Sequence, residues 1–256
     1  MISLLQNEWM KARKKHRAGV FLIVMGALLV IAALLVLFYS NRFNLRIGGM
    51  QYTIYSASIY TTIVSFYSIV IGASVLTSEY NEGTIKQLFI RSHSRTSILL
   101  SKYLIVNLLA LTLYFILIGF NFFLGLLFFQ YDQIFNALTN NIINGLYHYP
   151  NILFYITLAF MIGALTKSMG LATGLTFLAK FSSGPITLLV SMYDWGKYVI
   201  FPHLSLSSYS DNRMISGGMD PFLSDLSLGF SLFIIVIYLL VLLIPSILVT
   251  EKRDII

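Results

Sequence analysis

"SEYNEGTIKQLFIRSHSRTSILLSKYL", residues 78–104, is a polar, charged stretch set between two long apolar runs. What it is depends on what those runs are. Of 256 residues 57% are hydrophobic and 11% charged, against roughly 25% charged in an ordinary soluble domain. Too little polar sequence remains to cover a soluble core. Several apolar runs reach the ~18 residues that a helix rising about 1.5 Å per residue needs to cross a hydrocarbon layer of about 30 Å. The flanking runs are therefore read as membrane spans, and the quoted stretch as a connection far longer than two spans require.

Working outward, the spacing predicts an all-α polytopic membrane protein forming one domain over residues 1–256. Six spans are expected at about 18–39, 57–77, 103–127, 152–166, 170–192 and 228–249. Ser94 is placed to cap a helix that starts below the third span. The second span is rich in Ser, Thr and Tyr, which suggests packing against other helices. Before the first span, Leu4, Leu5, Trp9 and Ala12 fall at helical spacing among cations, the pattern of an interfacial amphipathic helix over 1–17. "QYDQIFNALTNNIINGLYHYPN", 130–151, and the long stretch 193–227 read as outer connections. No repeat or low-complexity linker divides the chain.

The net charge of +7 is placed like a membrane protein's. Five of the seventeen cations lie in "KARKKHR", 11–17, directly before the first apolar run, as a juxtamembrane anchor would; a nucleic-acid partner is not expected. That run is longer than a signal peptide's and no small-residue cleavage site comes after it, so it reads as a retained span. With the N-terminus inside, the inner segments hold twelve Lys and Arg residues (Lys11, Arg13, Lys14, Lys15, Arg17, Lys86, Arg91, Arg95, Lys102, Lys167, Lys252 and Arg253). The outer ones hold four, Arg42, Arg46, Lys197 and Arg213. Cytoplasmic loops carry the excess of cations. Both termini and the quoted stretch are thus expected in the cytoplasm of a plasma-membrane protein.

Within that stretch Ile85, Leu88 and Phe89 share one face of a short helix, with Glu79, Glu82, Lys86 and Gln87 around the rest, while Gly83 permits a bend or close approach. An amphipathic helix shown to the cytoplasm can lie on lipid or dock into a groove. Mixed charge favours a protein partner.

Here the sequence resembles the membrane subunits of type-2 ATP-binding-cassette exporters, which include bacterial permeases for drugs, lantibiotics and other peptides. "NEWMK", 7–11, carries part of the likeness. The quoted stretch carries the rest, with its glutamate, then Gly-Thr, then Ser-Arg, then Ser-Lys order. The resemblance implies a coupling helix seated in a cleft of a separate ATPase subunit, which binds ATP and magnesium, and a second permease chain, identical or not. It implies that Glu79, Glu82, Gly83, Thr84, Ile85, Lys86, Leu88, Phe89, Arg91 and Arg95 form the coupling segment. "IRSHSR" departs from members that carry proline near His93.

Other chemistry has less support. The one Gly-Lys pair, Gly196-Lys197, is succeeded by Tyr198 and lacks P-loop spacing, so no bound cofactor and no ATP hydrolysis are expected on this chain. "IGASVL", 71–76, contains a Gly-x-Ser, but His16, His93, His148 and His203 all fall in expected loops or termini. Ser74 therefore reads as packing glue. Histidines and acids do not fall at metal-ligand spacing, and there is no cysteine. Lys180, mid-span in "FLAKFSSGPITLL", costs a few kcal/mol at that depth. With Gly184 and Pro185 weakening the helix beyond it, Lys180 reads as lining a transport path, or as snorkelling from a bent helix. Asp194, Asp211, Asp220 and Asp225 make the last outer connection acidic, a solvated loop or an outer gate.

The leading expectation is an exporter permease for amphipathic or antimicrobial peptides or drugs. The alternatives are an ATPase-independent secondary transporter or channel, and a membrane protein that senses a toxic peptide or confers immunity to it.

Overall fold

The computed structural model describes residues 6, 9–10, 17–83, 94–223 and 226–252. Among them are helices and turns and no strand. In chain order the helices are α1 Arg17–Arg42, α2 Gly49–Asn81, α3 Arg95–Phe128, α4 Ile134–Thr166, α5 Met169–Val190, α6 Ile200–His203, α7 Arg213–Ser216 and α8 Leu228–Lys252, with 3-10 turns at Asp194–Tyr198 and Leu206–Tyr209. Five of them, α1 to α4 and α8, are long and apolar enough to cross a membrane. The expected fifth span appears as α5 but is not one of these five. Its 22 residues suffice in length, while Lys180 and the run Ser182-Ser183-Gly184-Pro185 dilute its apolar surface.

The largest departure from the sequence reading is α4. Residues 134–151, expected as an outer connection, form its first half. The helix is built inside out: Ile134, Phe135 and Leu146 are exposed, whereas Asn141 and Asn144 are buried, with the Asn141 amide directed at the Ile118 carbonyl of α3. Pro150 lies inside the helix, where its missing N–H frees the carbonyl one turn earlier. The interfacial helix expected over 1–17 falls outside the described residues except for helical Gln6, Trp9 and Met10.

α2 is the central element, packed on α3, α4 and α5 and more lightly on α1, as its Ser, Thr and Tyr content suggests. Against α4 it comes very close. A Cβ on Gly72 would lie 3.0 Å from the Ile156 carbonyl oxygen, and one on Gly163 3.2 Å from that of Ala73. Small residues at such crossings let helices gain the dispersion contacts that replace the hydrophobic drive inside lipid. Against α3 the contact is polar. Ser56 Oγ donates to Asn121 Oδ1 at 2.9 Å, Asn121 Nδ2 donates to the Thr53 carbonyl at 3.1 Å, and the Thr61 and Tyr114 hydroxyls meet at 3.1 Å. Each such bond contributes about 0.6 kcal/mol within a membrane.

α1 leans on this core through Phe21, stacked on Tyr67 of α2 with centroids 3.9 Å apart. The outward faces of α1 and α8 are largely exposed Leu, Ile, Val and Phe, the surface lipid would cover. At 33 to 34 residues, α2, α3 and α4 are about 50 Å long, so each outreaches the ~30 Å hydrocarbon layer. α3 begins at Arg95, with the Ser94 hydroxyl accepting from the Ser97 N–H as its cap, where the sequence placed it.

Candidate functional site

Three polar assemblies stand out, one at each end of the bundle and one at its middle. The first surrounds the quoted stretch. α2 ends as Glu82 donates its N–H to the Ser78 carbonyl, and Gly83 then turns with φ +66°, a left-handed conformation that a side chain would strain. Among the described residues nothing lies within 4 Å of where its Cβ would be, so what requires glycine here is the positive φ of the bend. Behind that turn Glu79 Oε1 accepts from Lys102 Nζ of α3 at 2.9 Å, and the Lys102 side chain is 2% exposed. Glu79, expected in the coupling segment, thus pairs with α3.

At the start of α3, Arg95 Nη1 donates to the Glu251 carbonyl at 3.0 Å and the Thr96 hydroxyl donates to the Glu251 carboxylate, which joins α3 to the end of α8. Lys167 occupies the αL position between α4 and α5, its ammonium 5.2 Å from the centre of the Tyr80 ring of α2. The ends of α2, α3, α8 and the α4–α5 turn therefore share one face of the bundle. Glu79, Glu82, Gly83 and Arg95 are gathered there, whereas Thr84, Ile85, Lys86, Leu88, Phe89 and Arg91 lie outside the described residues. Lys102 was visible in the sequence only as the Ser-Lys element of the 78–104 stretch and Glu251 not at all, because their partners are 23 and more than 150 positions away.

The second assembly is central. Lys180 of α5 turns toward α4 and α2. Half-buried, it donates from Nζ to Asn151 Oδ1 at 3.2 Å, 4.5 Å from the centre of the Tyr155 ring and 5.7 Å from that of Phe66. α5 runs unbroken through Gly184 and Pro185, both exposed, so the expected break is absent. Five residues from the helix end, Pro185 frees one carbonyl without uncoupling the final turn.

The third assembly caps the opposite end. His203 of α6, 1% exposed, meets the Ser231 hydroxyl of α8 at Nδ1 (2.8 Å) and the Lys197 carbonyl at Nε2 (2.9 Å). A carbonyl only accepts, so Nε2 carries the proton and Nδ1 accepts from Ser231, whose oxygen accepts in turn from Tyr209 at 2.9 Å. Burial holds the imidazole below the ordinary histidine value, with the Lys197 bond pulling the other way. Asp194, Asp211 and Asp220 of the same connection are exposed; Asp225 lies outside the described residues. Ser74 bonds only its own helix, at the Ile71 carbonyl. Among the described residues no three His, Asp or Glu side chains group as metal ligands.

Residues 20–256 match the model of a family described as protein of unknown function, DUF2705. The chain is also similar to the uncharacterized protein YhcI of Bacillus subtilis (strain 168), 30% identical over 227 residues, a span covering 80% of this chain and 70% of that one. No solved structure matches it significantly.

Proposed function

The chain belongs to the DUF2705 family, and we propose that within it this protein is the membrane-spanning permease subunit of an ATP-driven exporter of the ATP-binding-cassette class. The observation that carries the reading is the braced end of the bundle. Residues 84–93 leave from α2 and rejoin at α3 between the Glu79–Lys102 pair and the Arg95 and Thr96 bonds to Glu251. A load applied at the helix ends that flank that segment would pass into α2, α3 and α8 together.

In this reading α5 is a sixth, less apolar span. The braced face and both termini are cytoplasmic, in keeping with the twelve-to-four distribution of cations. Glu82, Gly83, Thr84, Ile85, Lys86, Leu88, Phe89 and Arg91 meet the cleft of an ATPase subunit, with Glu79 and Arg95 holding the platform behind them. ATP and magnesium bind that subunit, not this chain. A second permease chain completes the path, and the cargo is an amphipathic or antimicrobial peptide or drug. The resemblance of the 78–104 stretch to type-2 exporter subunits supports these assignments.

The test is a detergent pull-down from the source membrane, wild type beside a Glu82→Lys, Gly83→Val double variant. Recovery of a P-loop ATPase with the wild type and its loss with the variant supports the proposal; no ATPase with either overturns it. A second reading, an ATPase-independent transporter, is favoured by the inward-turned Lys180, and predicts transport that survives without any ATPase but not without Lys180. An immunity or sensing protein would instead protect cells with no transport at all.

A further inference from the structure

The middle of the bundle holds an ammonium with no carboxylate bonded to it among the described residues. Phe66, Asn151 and Lys180 each lie within one residue of the midpoint of their helices, α2, α4 and α5. Three helices therefore bring their centres to one place, at the depth where water is scarcest if they cross the membrane. Around Lys180 stand the Asn151 side-chain amide oxygen, the faces of Tyr155 and Phe66, and Phe177 and Phe181, whose rings pack on Phe66 with centroids 5.1 and 5.3 Å away. Among the described residues, the groups against the ammonium are an amide and aromatic rings, all neutral. A cation in such a place is normally paired, faces a cavity or marks a pathway, and one amide oxygen with two ring faces is a weak substitute for a counter-ion.

We propose that Lys180 is the anchor of a mid-membrane binding site for an anionic oxygen group, a carboxylate or phosphate, carried on an apolar tail. The aromatic rings provide the apolar surface for the tail. Lys180 supplies the charge, and Asn151, next to the proline of α4, turns from holding the ammonium to steadying the bound head group. The inference deepens the transport reading by naming the chemistry of the cargo's head group, and rests on α5 crossing the membrane. A fatty or lipid-like phosphate and the free C-terminus of an acylated peptide would both satisfy the site.

The test uses the purified full chain in phosphatidylcholine nanodiscs, with empty nanodiscs as reference in equilibrium dialysis. The probes are N-dodecanoylglycine, its neutral amide and dodecyl phosphate. The expected result is at least tenfold tighter binding of one or both anions than of the amide, retained in Lys180→Arg and lost in Lys180→Met. Whichever anion binds more tightly assigns the head group. Equal binding of anion and amide by the wild type, or a preference that survives in Lys180→Met, overturns the proposal. Should Lys180→Met fail to fold, the wild-type contrast still decides. No ATPase enters this experiment, so failure here leaves the coupling proposal standing, and failure of the pull-down leaves this result standing.

Discussion

Replacing Lys102 with methionine should be among the most damaging single changes in the chain. The Lys102 ammonium and Glu79 carboxylate are 2.9 Å apart, with side chains 2% and 13% exposed. At an effective dielectric of about 20 their gross attraction is ~6 kcal/mol, most of it offset by the cost of taking both ions from water. The two terms separate on mutation. Lys102→Met takes the Lys102 ammonium from a largely buried carboxylate, and breaking a buried pair from one side costs about 3–5 kcal/mol. Glu79→Gln with Lys102→Met removes both charges and should return most of that loss. In a chain of this size 1 kcal/mol shifts the melting temperature by roughly 2–4 °C, so the single variant should melt on the order of 10 °C lower in nanodiscs. The double variant should stay within a few degrees of wild type. A single variant that melts like wild type, or a double variant as unstable as the single one, would refute the argument that this pair braces α2 against α3.

Three further outcomes are expected of the same structure. Gly163→Leu would drive a side chain into the Ala73 carbonyl and Thr77 methyl at the α2–α4 crossing and should cost at least about 1–3 kcal/mol by thermal melting, whereas Gly174→Ala, with nothing within 4 Å, should be neutral or slightly stabilising. The His203 imidazole is held below its unfolded value near 6.5, so the unfolded chain takes up the proton first. Its contribution is complete above about pH 6.5 and is lost as pH falls toward the lower folded value. Wild type should melt lower at pH 5 than at pH 7.5, and His203→Gln should show a smaller difference. Ser94→Ala removes the cap of α3 and should cost about 1 kcal/mol, with Ser94→Asp retaining most of it.

Much of the bundle was legible because lipid makes spans long and uniformly apolar. The first and last spans, read at 18–39 and 228–249, are found at Arg17–Arg42 and Leu228–Lys252. Ser94 was legible because its hydroxyl directly precedes a helical run. The first half of α4 was not, since Asn136, Asn140, Asn141, Asn144 and Pro150 carry the vocabulary of a loop. Ile134, Leu138, Ile142 and Leu146 were the available signal: four apolar residues at i+4 spacing, all of them exposed. In water that stripe would face a core, but here it faces outward while Asn141 and Asn144 are buried, Asn141 toward α3.

The candidate sites divide in the same way. Lys180 could be singled out because a cation inside an apolar run is conspicuous. That it reaches Asn151 and Tyr155 depends on how α4 and α5 fold over the two-residue turn at Lys167 and Ser168, which spacing does not encode. Glu79 was assigned to the coupling segment because the 78–104 stretch resembles that of type-2 exporter subunits. Its actual partner, Lys102, is adjacent only after α2 and α3 pack.

The central claim is that residues 84–93 touch an ATPase, and a photo-crosslinker tests it most directly. A benzoylphenylalanine placed at Phe89, and in a second protein at the exposed Phe135, is irradiated in the source membrane and the adducts are identified by mass spectrometry. The account predicts a P-loop ATPase joined to position 89 and none joined to position 135. An ATPase at both positions, or at neither, would contradict it.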